Sequence, residues 1–341
     1  MAAQPTPREV VKGLLQGIAA PRPLFLPIVF AAGSKVAGVS LRTFMSNPTK
    51  ISTSLRQIRG HLHSDGIACY SDPYLEAEAL GGTLQWGTDD QPPALRWLQQ
   101  AEKGKLPAGL RTPEEAAKSG RVNVAVEVIR QLKALLRDGS LLMAGVTGPY
   151  TLTARMAQLD HEDALRSEDL PESAVEFAGE VIMQVATTFM EAGANLIFIQ
   201  EDILPTLSAE SCEAWASLLA PTFNIIRFYE GLPVLLLTNA GSFARNSGVV
   251  FQQNWNCVVC PALREIPSLP SGRLSALKAV GLGIALPLEE LQPDGSGGES
   301  LHASVHQIIS ESRPAILTTA GDVPPMSDMK RMIKVWEDVC R

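Results

Sequence analysis

The sequence predicts a (β/α)8 barrel, because short apolar runs alternate with longer amphipathic segments along the whole chain. Eight such runs occur, at residues 24–30, 66–70, 141–146, 195–200, 233–238, 256–260, 281–286 and 314–319. Their unbroken apolarity is typical of parallel strands that are buried on both faces. Eight strand–helix units indicate a closed barrel, and an open doubly wound sheet is the second choice.

The segments between these runs predict helices that cover the barrel. Residues 47–62 begin with Asn47, a candidate N-cap, and Pro48, whose missing N–H costs nothing at the first helical position. Residues 123–138 and 174–193 repeat apolar side chains every three or four positions, which is typical of a helix with one buried face.

Glycines occur in several turns that end a helix and lead into the next strand. The turns HSDG, EAGA and YEGLP, at residues 63–66, 191–194 and 229–233, predict that Gly66, Gly193 and Gly231 adopt the left-handed conformation. Glycine is expected there because it has no Cβ to strain that conformation.

The chain of 341 residues is predicted to form one barrel domain, residues 1–341, because α/β barrels are commonly this long. Residues 83–118 are rich in proline, glycine and charge, and we expect them to form an insertion after the second strand. Residues 291–300 predict a flexible loop after the seventh strand.

Composition and charge argue against several classes of function. Apolar residues make up 45% of the chain and charged residues 19%, as in ordinary globular proteins. A net charge of −7 gives no basic field to attract nucleic acid or anionic lipid, and no apolar run is long enough to span a membrane. The odd number of cysteines, five, favours a reducing, cytoplasmic compartment.

The chemistry of such a barrel lies at the carboxyl ends of the strands and on the loops that follow them, here called the barrel mouth. The candidate catalytic residues at these positions are the acids Asp72, Glu201 and Asp202. The candidate substrate-binding residues are Phe30, Tyr70, Tyr150, Arg155, Asn239 and Asp322. The mouth is therefore predicted to be rich in carboxylates.

The three candidate acids have more than one interpretation. Asp72 precedes Pro73, so we expect it to cap a helix that Pro73 begins while it presents one oxygen to the pocket. Glu201 and Asp202 are adjacent, so only one of them faces the barrel axis if the strand stays extended.

Three further patterns do not predict a resident metal or cofactor. Cys257 and Cys260 face opposite ways on an extended strand, and no second pair completes a metal site. His302 and His306 share a helix face but lack a third ligand. The stretch GLGIAL, residues 281–286, lacks the third glycine of a dinucleotide-binding loop.

The order of the strand-end segments resembles the uroporphyrinogen decarboxylase superfamily, which includes decarboxylases and cobalamin-linked methyltransferases. The resemblance rests on YSDPYLEAEALGG, GVTGPYTLTARM, FMEAGANLIFIQED and ILTTAGDVPP, at residues 70–82, 145–156, 189–202 and 316–325. It covers nearly the whole chain and implies the barrel fold.

The resemblance places the catalytic aspartate of the decarboxylases at Asp72. Their substrate-facing tyrosine falls at Arg155, their serine at Asp202 and their late histidine near Gly321, and residues 27–35 lack their arginine pair. A substrate with many carboxylates needs a cationic cradle, which Arg155 alone does not provide.

The resemblance also places the zinc ligands of the methyltransferases near Thr238, Ala240 and Gly321, none of which is a histidine or cysteine. It therefore implies a zinc-free member of the superfamily. The activity we expect is methyl transfer between a small methylated substrate, such as a methoxylated aromatic compound or an amine, and a corrinoid carried by a separate protein. Tetrapyrrole decarboxylation, non-catalytic binding of a tetrapyrrole or another small ligand, a partner-docking role and a homodimer remain open.

Overall fold

In the computed structural model, eight parallel strands form a barrel that helices surround, as the sequence predicts. The structure describes residues 4–97, 105–136, 139–159, 164, 170–260, 281–288, 314–325, 327, 330, 332–334 and 337. The predicted loop at residues 291–300 and the pair His302 and His306 lie outside them.

The strands are numbered along the chain. They are β1 (Leu24–Phe25), β2 (Gly66–Tyr70), β3 (Thr83–Gln85), β4 (Ala94–Arg96), β5 (Leu141–Thr147), β6 (Leu196–Glu201), β7 (Leu232–Leu237), β8 (Val258–Cys260), β9 (Leu282–Leu286) and β10 (Ile316–Thr319). The barrel ladder runs β1-β10-β9-β8-β7-β6-β5-β2, and every pair in it is parallel. Each of the eight predicted apolar runs overlaps one strand of the barrel ladder.

The helices with described bounds are numbered in the same way. They are α1 (Pro7–Leu15), α2 (Gly33–Ala37), α3 (Leu41–Met45), α4 (Pro48–Leu62), α5 (Leu75–Ala79), α6 (Pro113–Ala116), α7 (Val122–Leu136), α8 (Pro149–Met156), α9 (Glu172–Ala192), α10 (Ala209–Phe228) and α11 (Ala240–Val250). The predicted cap of α4 is confirmed, because Lys50 N donates to Asn47 Oδ1 over 3.0 Å. None of the described helices has the length and apolar character needed to cross a bilayer.

Strand β1 is shorter than its apolar run because, beyond Phe25, side-chain hydroxyl groups of β10 form hydrogen bonds with the backbone that follows β1. Ile28 N donates to Thr319 Oγ1 over 3.0 Å, and Thr318 Oγ1 donates to Leu26 O over 2.6 Å. Pro27 has no N–H to contribute to a ladder. The chain therefore stays alongside β10 without regular strand pairing.

Asp65 joins β1 to β2 across the seam of the barrel. Its carboxylate accepts two hydrogen bonds of 2.8 Å from Arg22 and one of 2.8 Å from Phe25 N. Its backbone N–H donates to Phe25 O over 2.9 Å, and its carbonyl accepts from Leu141 N over 2.9 Å. One residue thus closes the barrel where the strand ladder is interrupted.

Two apolar clusters separate the inside of the barrel from the helix layer. The interior cluster contains alternate strand residues, such as Leu196 and Phe198 on β6, together with Val10 and Leu14 of α1. Helix α1 therefore closes the base of the barrel. The outer cluster contains the intervening strand residues, such as Ile197 and Ile199, and most of the helix side chains.

The left-handed turn residues correct part of the prediction. Gly193 is left-handed, with φ 112°, but at the other two turns His63 (φ 52°) and Glu230 (φ 59°) take that conformation instead of Gly66 and Gly231. Gly66 and Gly231 are required because neighbouring side chains leave no room for a Cβ atom. A Cβ on Gly231 would lie 2.3 Å from Met190 Cε, and one on Gly66 would lie 2.8 Å from Leu26 Cδ2.

The described part of residues 83–118 contains the antiparallel hairpin β3–β4 and helix α6. Arg111 Nη1 donates to Ala79 O of α5 over 2.8 Å, and Trp97 Nε1 donates to Arg155 O of α8 over 3.2 Å. This segment therefore packs against the two helices that follow β2 and β5.

Candidate active site at the barrel mouth

Glu201, the last residue of β6, caps the N-terminus of α8 from across the barrel wall. Its carboxylate accepts from Tyr150 N and Thr151 N, each over 3.0 Å, and from Thr151 Oγ1 over 2.6 Å. The N-cap residue Gly148 has no side chain to cap the helix. A Cβ there would lie 2.2 Å from Glu201 Cδ, so glycine makes room for the carboxylate.

Thr151 connects this cap to the loop after β6. Its Oγ1 accepts from Asp202 N and Ile203 N, each over 2.9 Å, so its own proton is directed at Glu201. Burial raises the pKa of Glu201 to about 7, although the hydrogen bonds from Thr151 and Tyr150 favour the ionised form. The network fixes the backbone of Asp202.

The alternation along β6 distinguishes the two adjacent acids. Leu196 and Phe198 belong to the interior cluster, and Ile197 and Ile199 belong to the outer cluster. Glu201 continues the outward set and is 1% exposed beneath α8. Asp202, the next residue, is half-buried, and its Oδ1 accepts from Thr238 Oγ1 at the end of β7 over 3.2 Å.

Arg155 is a cation at the mouth. Its Nη1 donates to Pro73 O, and to Thr147 Oγ1 over 3.1 Å, and its guanidinium lies 5.5 Å from the ring centre of Tyr74. Burial lowers the pKa of Arg155, while the charges of Asp202 and other nearby acids raise it. Arg155 and Asp202 therefore interact electrostatically, yet within the described chain they form no direct ion pair.

Glu76 is a buried acid that the sequence interpretation missed. It lies on α5, is 1% exposed, and accepts from Thr147 N over 3.1 Å and from Thr147 Oγ1 over 2.7 Å. Burial raises the pKa of its carboxyl. Glu76 thus holds the end of β5 and also contributes negative charge near Arg155.

Asp72 lies in an ion-paired cluster beneath the mouth. Its side chain is 1% exposed and contacts Arg121 Nη1, whose Nε also donates to Glu78 Oε2 over 2.6 Å. Burial lowers the pKa of Arg121. The interactions with Asp72, Tyr70 and Glu78 together raise this pKa by more than burial lowers it, so the net shift is upward.

The predicted helix cap at Asp72 is wrong. Helix α5 begins at Leu75, two residues later than expected, and its N-cap Tyr74 makes no side-chain cap hydrogen bond. Asp72 Oδ1 instead accepts from Tyr74 N over 2.9 Å, two residues along the chain. This local turn bends residues 72–74 before the helix starts.

Tyr70 points away from the barrel interior because of a β-bulge. The register of β2 against β5 shifts between Ala68 and Tyr70, so Tyr70 pairs with Ala144, a residue of the outer cluster. Its hydroxyl donates to Met45 O over 2.7 Å, and burial raises its pKa. Phe30 packs against its ring at a tilt, with ring centres 4.7 Å apart, and is also buried.

Asp322 follows β10 and holds the backbone that follows β1. Its two oxygens accept from Phe30 N over 2.6 Å and from Ala31 N over 2.8 Å. Burial and the charge of Asp72 raise the pKa of Asp322, while the two hydrogen bonds lower it. The net result is a pKa of about 7.

The remaining two candidates also contact helix N-termini. Asn239 is the N-cap of α11, and its Oδ1 accepts from Ser242 N over 2.8 Å. Tyr150 lies in the first turn of α8, with its ring centre 6.3 Å from that of Trp215. Burial raises the pKa of Tyr150 to about 12, with the charge of Glu201 adding to the shift.

The two cysteines of β8 face opposite sides of the strand, as expected. Cys257 belongs to the interior cluster and Cys260 to the outer one, and burial raises the pKa of both thiols. In the part of the chain that the structure describes, no three His, Cys, Asp or Glu residues are grouped so that they could hold a metal ion.

Sequence reasoning therefore missed Thr151, Thr147, Glu76 and Arg121. A helix that begins Gly-Pro has no N-cap side chain and needs an acceptor from elsewhere, but this pattern indicates neither Glu201 as the acceptor nor Thr151 as its partner. Arg121 shows no local pattern, since its partners Asp72 and Glu78 are distant along the chain.

The fold and site define a (β/α)8 barrel whose mouth carries Asp202 and Arg155 above a layer of buried acids. The family model for uroporphyrinogen decarboxylase (URO-D) matches residues 9–224, which is more than half of the chain. The chain therefore belongs to the uroporphyrinogen decarboxylase family. No curated protein matches it significantly.

Solved structures of methyltransferases share the fold. A methyltransferase from Methanosarcina mazei superposes with a TM-score of 0.76 at 15% identity, covering 98% of each chain. A B12-independent methionine synthase from Shewanella sp. W3-18-1, in complex with selenomethionine, has a TM-score of 0.53 at 12% identity and covers 87% of this chain and 88% of its own. At these identities the likeness establishes the fold alone.

Proposed function

We propose that this protein transfers a methyl group from a small methylated ammonium compound to a corrinoid carried by a separate protein. The family and the fold shared with methyltransferases support methyl transfer as the class of reaction. The corrinoid in its reduced state supplies the nucleophile that accepts the methyl group.

The observation that carries the proposal is the separation of Asp202 from Arg155. The two groups interact electrostatically across the mouth but do not form an ion pair, and Thr238 holds the carboxylate. A carboxylate and a guanidinium that influence each other without an ion pair suit a zwitterion, with its ammonium at Asp202 and its carboxylate at Arg155. A methylated amino acid has this charge pattern.

The other acids have supporting roles in this proposal. A methylated ammonium group leaves as a neutral amine once it loses its methyl group, so no residue must donate a proton to it. Glu201, Asp72 and Asp322 are occupied by hydrogen bonds or ion pairs with the protein and act by fixing the loops. Asn239 lies at the next strand end, where it helps to position the donor.

Zinc has no part in this proposal. The positions where the resemblance expects its ligands carry Thr238, Ala240 and Gly321, and the Thr238 hydroxyl donates to Glu201 O and Asp202 Oδ1. No imidazole or thiolate is present among these three residues to bind zinc.

The test is an absorbance assay of methyl transfer to cob(I)alamin, used as a surrogate for the carrier protein. Glycine betaine, tetramethylammonium and methoxybenzoate serve as a zwitterion, a cation and an oxygen-linked methyl donor. We expect transfer from glycine betaine, weaker transfer from the cation, and loss of this preference in Arg155→Met. No change of the corrinoid spectrum with any donor would contradict the proposal.

Decarboxylation of a tetrapyrrole is the second candidate, because the matching family model is that of uroporphyrinogen decarboxylase. The ion pair of Asp72 with Arg121 weighs against it, since the carboxylate is 1% exposed and already engaged. Incubation with uroporphyrinogen and analysis of the products by mass spectrometry separates the two candidates. Loss of carbon dioxide from the tetrapyrrole would favour the second, and quenching of Trp86, Trp97 or Trp255 fluorescence without turnover would indicate binding alone.

A further inference from the structure

A cavity of about 540 Å³ lies at the base of the barrel, at the opposite end from the mouth. Its polar lining consists of Arg8, Lys12, Gln16, Asn195, Arg227, Tyr229 and Glu230. Asn195 directly precedes β6, whereas Asp202 directly follows it, so the six residues of the strand separate the two places. At the usual rise of a strand this distance is about 20 Å.

The charge of this cavity is opposite to that of the whole protein. Arg8, Lys12 and Arg227 contribute three cations, and Glu230 contributes the one carboxylate of the lining. The chain as a whole has a net charge of −7. A concave surface lined mainly by one sign of charge concentrates ions of the other sign, so the excess of cations here favours anions.

The guanidinium of Arg227 is held in a fixed orientation. Its Nε donates to Asn256 Oδ1 over 2.6 Å, its Nη1 donates to Asn224 Oδ1 over 3.0 Å, and its Cζ lies 5.8 Å from the ring centre of Phe223. Among the described residues no acceptor for Nη2 is present. A pre-oriented donor of this kind loses little entropy when it binds an anion.

Asn195 adds a neutral donor to the same cavity. Its Oδ1 accepts from Leu142 N over 2.9 Å, which leaves the amide nitrogen to donate elsewhere. Cationic and amide donors lining one concavity suit a ligand with several anionic oxygens. The volume lies within the usual range for small-molecule sites.

We propose that this cavity binds a small polyanion, a molecule with two or more phosphate or carboxylate groups. Arg227 and Lys12 supply the main charge contacts, and Asn195 donates a hydrogen bond. Glu230 opposes binding, because its carboxylate lines the same cavity. The site is separate from the mouth and does not depend on the proposed methyl transfer.

The experiment is isothermal titration of the full chain with pyrophosphate and with citrate at constant ionic strength. The two probes distinguish phosphate from carboxylate ligands. We expect saturable binding of at least one of them, weakened about tenfold by Arg227→Ala and several-fold by Lys12→Ala. Glu230→Gln should tighten the same binding, and Lys118→Ala, which removes an exposed lysine outside the cavity, should leave it unchanged.

The proposal is overturned if neither probe binds, or if the cavity variants bind as the wild type does. Weaker binding in Glu230→Gln would also overturn it. If Arg227→Ala does not fold, Lys12→Ala carries the same test, because Lys12 is an exposed residue on the surface of α1.

Discussion

At the residue scale, the hydroxyl group of Thr151 links a strand end to a helix start at the barrel mouth. It donates to Glu201 and accepts from the backbone of Asp202 and Ile203, so it connects the end of β6 to the start of α8. Two backbone N–H groups depend on this one oxygen. The position of Asp202 is therefore set by a residue that lies 51 positions earlier in the chain.

The variant Thr151→Val should be less stable than the wild type by about 2–4 kcal/mol, because it leaves two N–H groups without their acceptor. Thr151→Ser keeps the hydroxyl and is the matched control, with a smaller expected loss. Urea unfolding of the two variants measures the difference. Equal stability of the valine and serine variants would show that the hydroxyl bridge contributes nothing.

The raised pKa of Glu201 makes the free energy of unfolding depend on pH. The pKa of Glu201 is raised to about 7 in the folded state, from an ordinary value of 4.5, so the folded protein retains a proton that the unfolded chain has released. The free energy of unfolding therefore falls as the pH rises from about 4.5 to 7, by on the order of 3 kcal/mol from this group. Asp322, whose pKa is raised to about 7, acts in the same direction.

The variant Glu201→Gln should show a shallower fall of stability over this pH range, because the titrating group is gone while Asp322 remains. The glutamine side chain has only one oxygen, so its NH2 group would face an N–H group of α8 that the carboxylate now accepts from. We therefore expect a lower stability at every pH. Unfolding free energies at several pH values measure the slope. A slope equal to that of the wild type would mean that the Glu201 pKa is not raised.

At the element scale, the pattern of elements was predictable from the sequence and their side-chain orientation was not. Unbroken apolarity identifies a buried strand whatever its neighbours are, and the Asn47–Pro48 pair identifies the start of α4 locally. The bulge that turns Tyr70 outward depends on the register of β2 against β5. The capping role of Glu201 depends on α8 approaching from another unit, and no local pattern shows this.

The barrel seam is an element-scale feature with a direct test. Asp65→Ala removes the carboxylate that binds Arg22 and Phe25 N, and it should lower the stability by about 2–4 kcal/mol, because the pair is partly buried. Asp89→Ala is the matched control, since Asp89 pairs with Arg42 on the surface and should cost less than about 1 kcal/mol. Similar losses in both variants would show that the seam does not depend on Asp65.

At the scale of the whole molecule, the two ends of the barrel differ in structure and charge. Helix α1 closes the base, where the cationic cavity lies, and the mouth at the other end carries buried acids with Asp202 and Arg155 above them. The family match and the shared fold establish the barrel, and the methyl transfer that we propose would take place at the mouth. The sequence suggested the acids of the mouth, and the structure shows that Glu201, Asp72 and Asp322 hold the scaffold. We propose that Asp202 meets the substrate.

The rate of methyl transfer from glycine betaine to cob(I)alamin in Asp202→Asn tests this account most directly. The substitution keeps the size and the hydrogen bond from Thr238 but removes the charge, and Asp89→Asn controls for the loss of one surface charge. We predict that Asp202→Asn is slower than the wild type by at least about 100-fold, while Asp89→Asn is unaffected. A rate in Asp202→Asn equal to that of the wild type would contradict the central claim that this carboxylate meets the methyl donor.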